Sequence, residues 1–164
     1  MEHNIWEMDT PAGRLRIEED GSGICGCYFP GNGEKPWKKG EKTFLLAQAE
    51  TQLREYFNGK RQEFDLPLSV SGTEFQKKVW KALREIPYGE TRTYEEIAKA
   101  VGNPRACRAV GMANHGNPVA VIIPCHRVIG KNGSLTGYAG GLDIKKILLE
   151  LEQKGGKERW RNRL

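Results

Sequence analysis

The sequence lacks the features of a secreted or a membrane protein. It has only four cysteines in 164 residues, Cys25, Cys27, Cys107 and Cys125, which are too few and too unevenly spaced for a disulfide framework. No apolar run approaches the roughly 20 residues that cross a bilayer, and the N-terminus lacks the basic start and apolar stretch of a signal peptide. We therefore expect a cytoplasmic protein with free thiols and no membrane contact.

Acidic residues are in the minority. The chain has 21 Asp and Glu against 26 Lys and Arg, a formal net charge of +5, and several of the cations lie in the last eleven residues: Lys154, Lys157, Arg159, Arg161 and Arg163. Such a balance fits a nucleic acid or another polyanion as the partner. It fits an ordinary solvated surface equally well, so charge alone leaves both interpretations open.

The first part of the chain predicts a small α/β unit. Residues 13–18 alternate between polar and apolar side chains, and residues 24–29 form a second short segment with strand character. Apolar residues at helical spacing predict a helix over 43–57. Residues 60–71 are rich in turn formers and are interpreted as a linker. We therefore expect an α+β fold in which residues 1–70 form an N-terminal domain with its linker.

The second part, residues 71–164, is expected to be mostly helical. Capping boxes at 73–76 and 93–96 each open a predicted helix, and Asn103-Pro104 is expected to cap and start a third helix over 105–115. Two short helices joined by a tight turn are typical of a helix-turn-helix, although an ordinary helical hairpin gives the same pattern.

The third predicted helix carries small and basic residues together. Ala106 and Ala109 permit close approach of a ligand or of another helix, and Arg105 and Arg108 lie beside them. This combination favours DNA, while internal packing of the small residues remains the alternative.

A cysteine and a histidine follow a buried-type apolar run. Residues 119–123 are all apolar, and Pro124 then leads into Cys125 and His126. Cysteine is a strong nucleophile as its thiolate, which a nearby histidine favours. Neighbouring side chains on an extended strand point to opposite faces, so the pair cooperates only through a turn at Pro124 or through a bridging water.

These segments together resemble the O6-alkylguanine-DNA alkyltransferase family. The matching motifs stand in the family's order and near its spacing, at residues 103–110, 116–118, 124–128 and 137–142. The resemblance implies a ribonuclease H-like N-terminal domain and a C-terminal helix-turn-helix domain for DNA binding and catalysis. It implies a monomer without a cofactor that moves an alkyl group from O6 of guanine, and from O4 of thymine, in double-stranded DNA onto Cys125, in a single turnover.

The resemblance also assigns roles to individual residues. Arg108 is the finger that replaces the flipped nucleotide, and the helix enters the minor groove through Arg105, Ala106 and Ala109. His126 is the base for Cys125 through a water, and Glu152 orients His126.

The remaining implied roles concern the base and the turn beneath it. The Tyr94 hydroxyl donates to the base, and N–H groups of Tyr138 and Ala139 meet the guanine oxygen. The carbonyls of Cys125 and Val128 accept from the exocyclic amine. Asn117 is expected to brace the turn under the site.

Two other functions and one metal site deserve comparison. A non-catalytic sensor of alkylated DNA needs no nucleophile, whereas Cys125 is present. A cysteine hydrolase would use Cys125 and His126 with repeated turnover and an oxyanion hole. His3, Cys25 and Cys27 offer only three zinc ligands with poor spacing, so we expect no metal.

Overall fold

The computed structural model describes residues 3–31, 37 and 40–156, without the side chains of residues 154–156. The basic residues near the C-terminus therefore lie outside the described side chains: Lys154, Lys157, Arg159, Arg161 and Arg163. Within the described ranges, no helix has the length and apolar composition that crossing a bilayer requires. The architecture is α+β, as predicted.

The N-terminal sheet has three antiparallel strands in sequence order, namely β1 (Asn4–Thr10), β2 (Gly13–Glu19) and β3 (Ile24–Tyr28). The two predicted strands are confirmed, and β1 was missed. Its alternation is broken because Glu7 is buried beside Met8, where Arg16 of β2 pairs with the Glu7 carboxylate at 2.6 Å. A buried ion pair in a strand disguises the period-two pattern that sequence analysis depends on.

Helix α1 (Phe44–Phe57) packs against β1 and β2. The Thr43 side chain accepts a hydrogen bond from the Leu46 N–H and so caps the first turn. The buried residues of the helix are all apolar or aromatic: Leu46, Ala49, Leu53, Tyr56 and Phe57. This helix confirms the prediction from spacing.

Residues 60–71 are more than the linker that the sequence suggested. Leu68 pairs in parallel with Ile24, the Ile24 N–H donates to the Pro67 carbonyl at 2.8 Å, and the Ser69 N–H donates to the Ile24 carbonyl at 2.8 Å. The Ser69 hydroxyl also donates to Asp20. The segment thus covers the edge of β3, which would otherwise carry unpaired backbone groups.

The remaining helices are α2 (Glu74–Arg84), α3 (Tyr94–Ala100), α4 (Cys107–His115) and α5 (Leu142–Gly156). Both predicted capping boxes are present, with reciprocal bonds between Thr73 and Gln76 and between Thr93 and Glu96. Two short strands, β4 (Arg92–Thr93) and β5 (Val128–Ile129), pair in parallel. Helices α2, α3 and α4 pack together, which gives the C-terminal half its core.

Helix α4 begins two residues later than predicted. Gly102 and Asn103 end α3, since their N–H groups donate to the carbonyls of Lys99 and Ala98. The Ala106 N–H then donates to the Asn103 carbonyl, which closes a turn. Asn103 is therefore occupied by the end of α3 and does not cap α4, and Arg105 lies in the turn before the helix.

The buried apolar run joins the two halves of the chain. The Cys27 N–H donates to the Pro118 carbonyl, and the Ala120 N–H donates to the Cys27 carbonyl at 2.8 Å. Residues 119–123 are buried except for the half-buried Ala120, so the predicted burial is confirmed. The run is irregular because Val121 has φ +70°, a left-handed conformation that β-branched residues rarely adopt.

Candidate active site

Cys125 lies at the base of a cavity between the two halves of the chain. It opens a 3₁₀ turn, Cys125–Arg127, directly after Pro124, so the chain does turn here, which is one of the two arrangements that the sequence left open. The cavity has a volume of about 320 Å³, and Cys125 is only 5% exposed. Its walls include aromatic residues of the N-terminal half and predicted site residues of the C-terminal half: Tyr28, Phe29, Asn117, Tyr138 and Ala139.

His126 is fully buried and bound to Glu152. Its Nε2 lies 2.6 Å from Oε2 of the carboxylate. Because a carboxylate accepts, the hydrogen of the neutral imidazole belongs on Nε2 and the lone pair on Nδ1. Nδ1 is buried and has no hydrogen-bond partner among the described residues. The imidazole of His126, the residue after Cys125, is thus held in the tautomer whose Nδ1 accepts a proton.

Glu152 is the most heavily bonded carboxylate of the site. Arg127 donates to it from Nε at 2.8 Å and from Nη2 at 3.0 Å, and the Tyr56 hydroxyl donates at 2.6 Å. Burial acts to raise the pKa of Glu152, but the charges and hydrogen bonds of His126 and Arg127 lower it to about 2. Glu152 is therefore an anion under all physiological conditions.

Arg127 and Tyr56 were not predicted as site residues. Arg127 is 6% exposed, and its Nη1 donates to the Ile86 carbonyl at 2.7 Å. Its position next to His126, directly after a buried apolar segment, indicates that Arg127 is buried as well. A buried arginine needs a buried anion as its partner. Tyr56 gave no signal beyond its helical spacing, since its partner stands 96 residues away.

The Cys125 thiol is protonated in the resting protein. Burial raises its pKa to about 11, while the Asn117 side chain and the charge of Lys145 act in the opposite direction. A thiolate therefore requires a base to take the proton when the reaction begins. His126, whose Nδ1 has no partner among the described residues, is the candidate acceptor of that proton.

Two asparagines hold the backbone around Cys125. Asn117 donates from Nδ2 to the Ile123 carbonyl at 2.8 Å and accepts from the Val119 N–H, so it braces the irregular run before Pro124. Asn114 of α4 is 2% exposed and donates to the Cys125 carbonyl at 3.3 Å. The second asparagine was not predicted, and it joins helix α4 to the backbone of Cys125.

Lys145 is a fully buried cation of α5 that sequence analysis also missed. Its Nζ donates to the Val128 carbonyl at 2.6 Å and to the Thr136 carbonyl at 2.7 Å. Burial lowers the pKa of Lys145 to about 8, against the raising effect of Cys125. The ammonium thus joins the segment after Cys125 to the loop that carries Tyr138, and one lone pair of the Val128 carbonyl remains for a ligand.

Tyr94 lies in a neighbouring groove and outside the walls of the Cys125 cavity. Its hydroxyl donates to the Thr136 carbonyl at 3.2 Å. The groove has a volume of about 690 Å³ and includes Cys107, Arg108 and Met112 of α4. His115 lines both spaces, which makes the groove and the cavity contiguous at that residue.

The predicted DNA-binding residues cluster at the start of α4. Arg105, Arg108 and Ala109 are exposed, and Ala106 is half-buried. Neither arginine forms an ion pair with any described residue. Two cations beside small side chains give an exposed surface suited to phosphate groups and close backbone approach.

The three suspected zinc ligands do not come together. His3 and Cys25 lie close to each other, with Glu18 as the third neighbour within 4.8 Å. Cys27 is instead fully buried, and its pKa is raised by burial and then by Cys125. Burial likewise raises the pKa of Cys25 to about 11, so this thiol is protonated at neutral pH.

Comparison with known proteins covers both halves of the chain. The family described as 6-O-methylguanine DNA methyltransferase, DNA binding domain, matches residues 74–154, and its ribonuclease-like domain matches residues 7–70. A methylated-DNA--protein-cysteine methyltransferase of Methanosarcina acetivorans is 53% identical over 150 residues, which are 88% of this chain and 95% of that relative.

Two solved structures extend the likeness to three dimensions. The crystal structure of Mycobacterium tuberculosis O6-methylguanine methyltransferase has a TM-score of 0.86 at 45% identity, covering 93% of this chain and 94% of that chain. The Mycobacterium tuberculosis OGT in complex with DNA has a TM-score of 0.84 at 46% identity, covering 92% and 93%.

Proposed function

The chain belongs to the 6-O-methylguanine DNA methyltransferase family, and we propose that it repairs DNA by moving an alkyl group from O6 of guanine to Cys125. The observation that carries the proposal is the buried arrangement of Glu152, His126 and Cys125, in which Nδ1 of the imidazole is left to accept a proton. A methyltransferase that uses its own cysteine needs this chemistry and no cofactor.

The reaction begins with deprotonation of the thiol. The Sγ proton passes through a water to Nδ1 of His126, and the imidazolium is stabilised by the Glu152 carboxylate. The thiolate then attacks the alkyl carbon from the side opposite the guanine oxygen. A carbon–sulfur bond forms as the carbon–oxygen bond breaks, and the electron pair stays with guanine.

The departing guanine needs a proton or a hydrogen bond, because its anion is a poor leaving group. We assign this role to the Tyr94 hydroxyl, which in the free protein donates to the Thr136 carbonyl. Backbone N–H groups at Tyr138 and Ala139 meet the guanine oxygen, and the carbonyls of Cys125 and Val128 accept from the exocyclic amine.

The depth of Cys125 requires the damaged nucleotide to leave the helix. A base stacked within a duplex cannot reach a thiol that is 5% exposed at the base of a cavity. Flipping the nucleotide costs a few kcal/mol of stacking and pairing, about as in other enzymes that act on bases. Exposed Arg108 enters the space that the base leaves and so offsets part of that cost.

Helix α4 is the element that we assign to the minor groove. Ala106 and Ala109 allow close approach to the sugar-phosphate backbone, and Arg105 supplies a cation for phosphate. Contacts of this kind carry little sequence information, as repair of damage at any site demands. The protein acts on one lesion as a monomer, and O4-alkylthymine is a second substrate.

Among the described residues, no group that lines the site is placed to hydrolyse the thioether that forms. Each molecule therefore acts once, which separates this function from a cysteine hydrolase with repeated turnover. The relay formed by Glu152, His126 and Cys125 likewise favours an alkyltransferase over a non-catalytic sensor, which needs no base.

The test is the mass of the intact protein and of its peptides after incubation with duplex DNA that holds one O6-methylguanine. We expect one methyl group on the Cys125 peptide at a ratio of one per protein, and none in Cys125→Ala. An unchanged mass despite tight DNA binding would refute alkyl transfer and favour the sensor. Repeated turnover on an ester or an amide would favour the hydrolase.

A further inference from the structure

The N-terminal half reaches the catalytic relay through one hydroxyl group. Tyr56, in the last turn of α1, is fully buried, and its hydroxyl lies 2.6 Å from Oε2 of Glu152. This is the same carboxylate oxygen that His126 contacts at 2.6 Å. A residue of the sheet-packing helix and the base of the active site thus share one acceptor atom.

We propose that Tyr56 is a positioning residue for alkyl transfer, which acts by sharing the Glu152 oxygen that orients His126. The inference rests on the proposed function, since it assigns His126 the role of base. It gives the N-terminal half a part in the chemistry that goes beyond packing.

The hydroxyl acts as a constant donor. Burial, and then the Glu152 carboxylate, raise the pKa of Tyr56 well above its ordinary value, so the proton stays on the tyrosine. A carboxylate that receives the hydroxyl on Oε2 and Arg127 on both oxygens cannot rotate freely. The orientation of the His126 ring is fixed as a consequence, because the ring follows the oxygen that it binds.

Sharing the oxygen also weakens the electrostatic interaction between the Glu152 carboxylate and the His126 imidazole. A hydrogen bond from Tyr56 withdraws negative charge from Oε2, and the Arg127 guanidinium does the same. Without the hydroxyl, more of that charge acts on His126 and favours the imidazolium. An imidazolium cannot accept the Cys125 proton, so the reaction then needs a higher pH.

The other groups around this point keep their charge across the working range. Glu152 of α5 has its pKa lowered to about 2, and Arg127 of the 3₁₀ turn is always a cation. Tyr88, which follows α2, faces Tyr56 with ring centroids 6.1 Å apart. On the cavity side, burial raises the pKa values of Cys125 and Tyr138, so both are neutral near pH 7.

Lys145, which contacts the Val128 carbonyl, has a pKa of about 8, so it changes charge only near the upper end of this range. The acid limb of the rate profile therefore lies outside the range in which Lys145 changes charge.

The experiment compares wild type, Tyr56→Phe and Phe57→Leu. The first variant removes only the hydroxyl, whereas the second disturbs the packing of the neighbouring buried residue and leaves the hydroxyl in place. The single-turnover rate of methyl transfer from duplex O6-methylguanine is measured between pH 5.5 and 8.5, together with thermal unfolding of each protein.

We expect Tyr56→Phe to move the acid limb of the rate profile upward by about half a pH unit or more, as the loss of one hydrogen bond to a charged group implies. The rate at pH 6 should fall about threefold or more and approach that of wild type at pH 8. Phe57→Leu should lose stability and keep the wild-type profile.

A wild-type profile in Tyr56→Phe, whatever its stability, would overturn the proposal and leave the hydroxyl as a tether between α1 and α5. A shift of equal size in Phe57→Leu would also overturn it. If Tyr56→Phe folds poorly, 3,5-difluorotyrosine at position 56 keeps the shape and strengthens the donor, so the acid limb should then move downward.

A failure of the proposed function can be distinguished from a failure of the proposal on Tyr56. A wild-type protein that transfers no methyl group refutes alkyl transfer. The pH dependence of Cys125 alkylation by iodoacetamide in the same three proteins then tests the coupling between Tyr56 and His126 by itself, with the same expected shift and the same contrary result.

Discussion

His126 Nε2 and Glu152 Oε2 lie 2.6 Å apart in a contact that excludes solvent from both groups. Because the carboxylate can only accept, the contact decides which imidazole nitrogen holds the hydrogen in the neutral ring. The proposed nucleophile, Cys125, and its proposed base, His126, are neighbours in the sequence, but the group that selects the tautomer comes from α5.

Replacing Glu152 by glutamine should separate tautomer control from charge. The amide has nearly the same shape, but it lacks the negative charge that stabilises the imidazolium, so we expect Glu152→Gln to slow methyl transfer about 100-fold. It also leaves the buried Arg127 without its anion, which should cost about 3 to 5 kcal/mol of unfolding free energy.

The matched control for this variant is Glu150→Gln, an exposed position on the same helix. Both variants should be measured below their unfolding temperatures, so that the rate reports the folded protein. A rate of Glu152→Gln within about twofold of wild type would remove Glu152 from the mechanism.

The acid stability of the protein should depend on Glu152. Its pKa is about 2 in the folded protein against an ordinary value of 4.5, and a lowered pKa means that the folded state prefers the anion. This contribution is complete above about pH 4.5 and is lost as the pH falls toward 2, which amounts to about 3 kcal/mol. Urea unfolding from pH 6 to pH 2.5 measures it. Glu152→Gln should lose less unfolding free energy over that interval than wild type does.

Lys145 should support both the substrate loop and the thiolate. In Lys145→Met the carbonyls of Val128 and Thr136 lose their common donor, and Cys125 loses a positive charge that lowers its pKa. We expect methyl transfer and iodoacetamide alkylation of Cys125 at pH 7.5 to slow about tenfold, since one pKa unit is a factor of ten in thiolate.

The neighbouring Lys146 is exposed, and Lys146→Met should react as wild type does. In wild type the electrostatic support from Lys145 should fade above about pH 8, where the ammonium loses its proton. Equal thiol reactivity in Lys145→Met and wild type at pH 7.5 would contradict this role.

Arg108 should matter only when the damaged base starts inside a duplex. If its side chain fills the space of the flipped nucleotide, Arg108→Ala should slow repair of duplex O6-methylguanine about 10- to 100-fold, in line with a flipping cost of a few kcal/mol. Transfer from the free base O6-benzylguanine, which needs no flipping, should be unchanged. Equal losses on both substrates would assign Arg108 to the chemistry instead of to flipping.

Local signals allowed the helices to be predicted, whereas the relay depended on distant partners. Capping boxes at Thr73 and Thr93 act within one turn, and they identified the helix starts correctly. The start of α4 was predicted wrongly because the backbone of Asn103 is engaged by the end of α3. Residues 60–71 were interpreted as a linker because composition does not indicate that their backbone pairs with Ile24.

The site residues divide in the same way. Cys125, His126 and Asn117 stand in motifs, so the sequence itself singles them out. Tyr56, Asn114 and Lys145 look like ordinary helix residues, and only the folded chain brings a carboxylate or a carbonyl to each of them. The role of a buried polar side chain depends on its hydrogen-bond partner, and spacing along the chain does not identify that partner.

The high pKa of the Cys125 thiol protects the free protein from reaction with small molecules. With a pKa of about 11, the thiol is almost entirely protonated at pH 7. Peroxides and small electrophiles react with the thiolate, so their reaction with Cys125 is slow when little thiolate is present. In the proposed single-turnover reaction, this protonation keeps Cys125 from being consumed by chemicals in solution and leaves it available for damaged DNA.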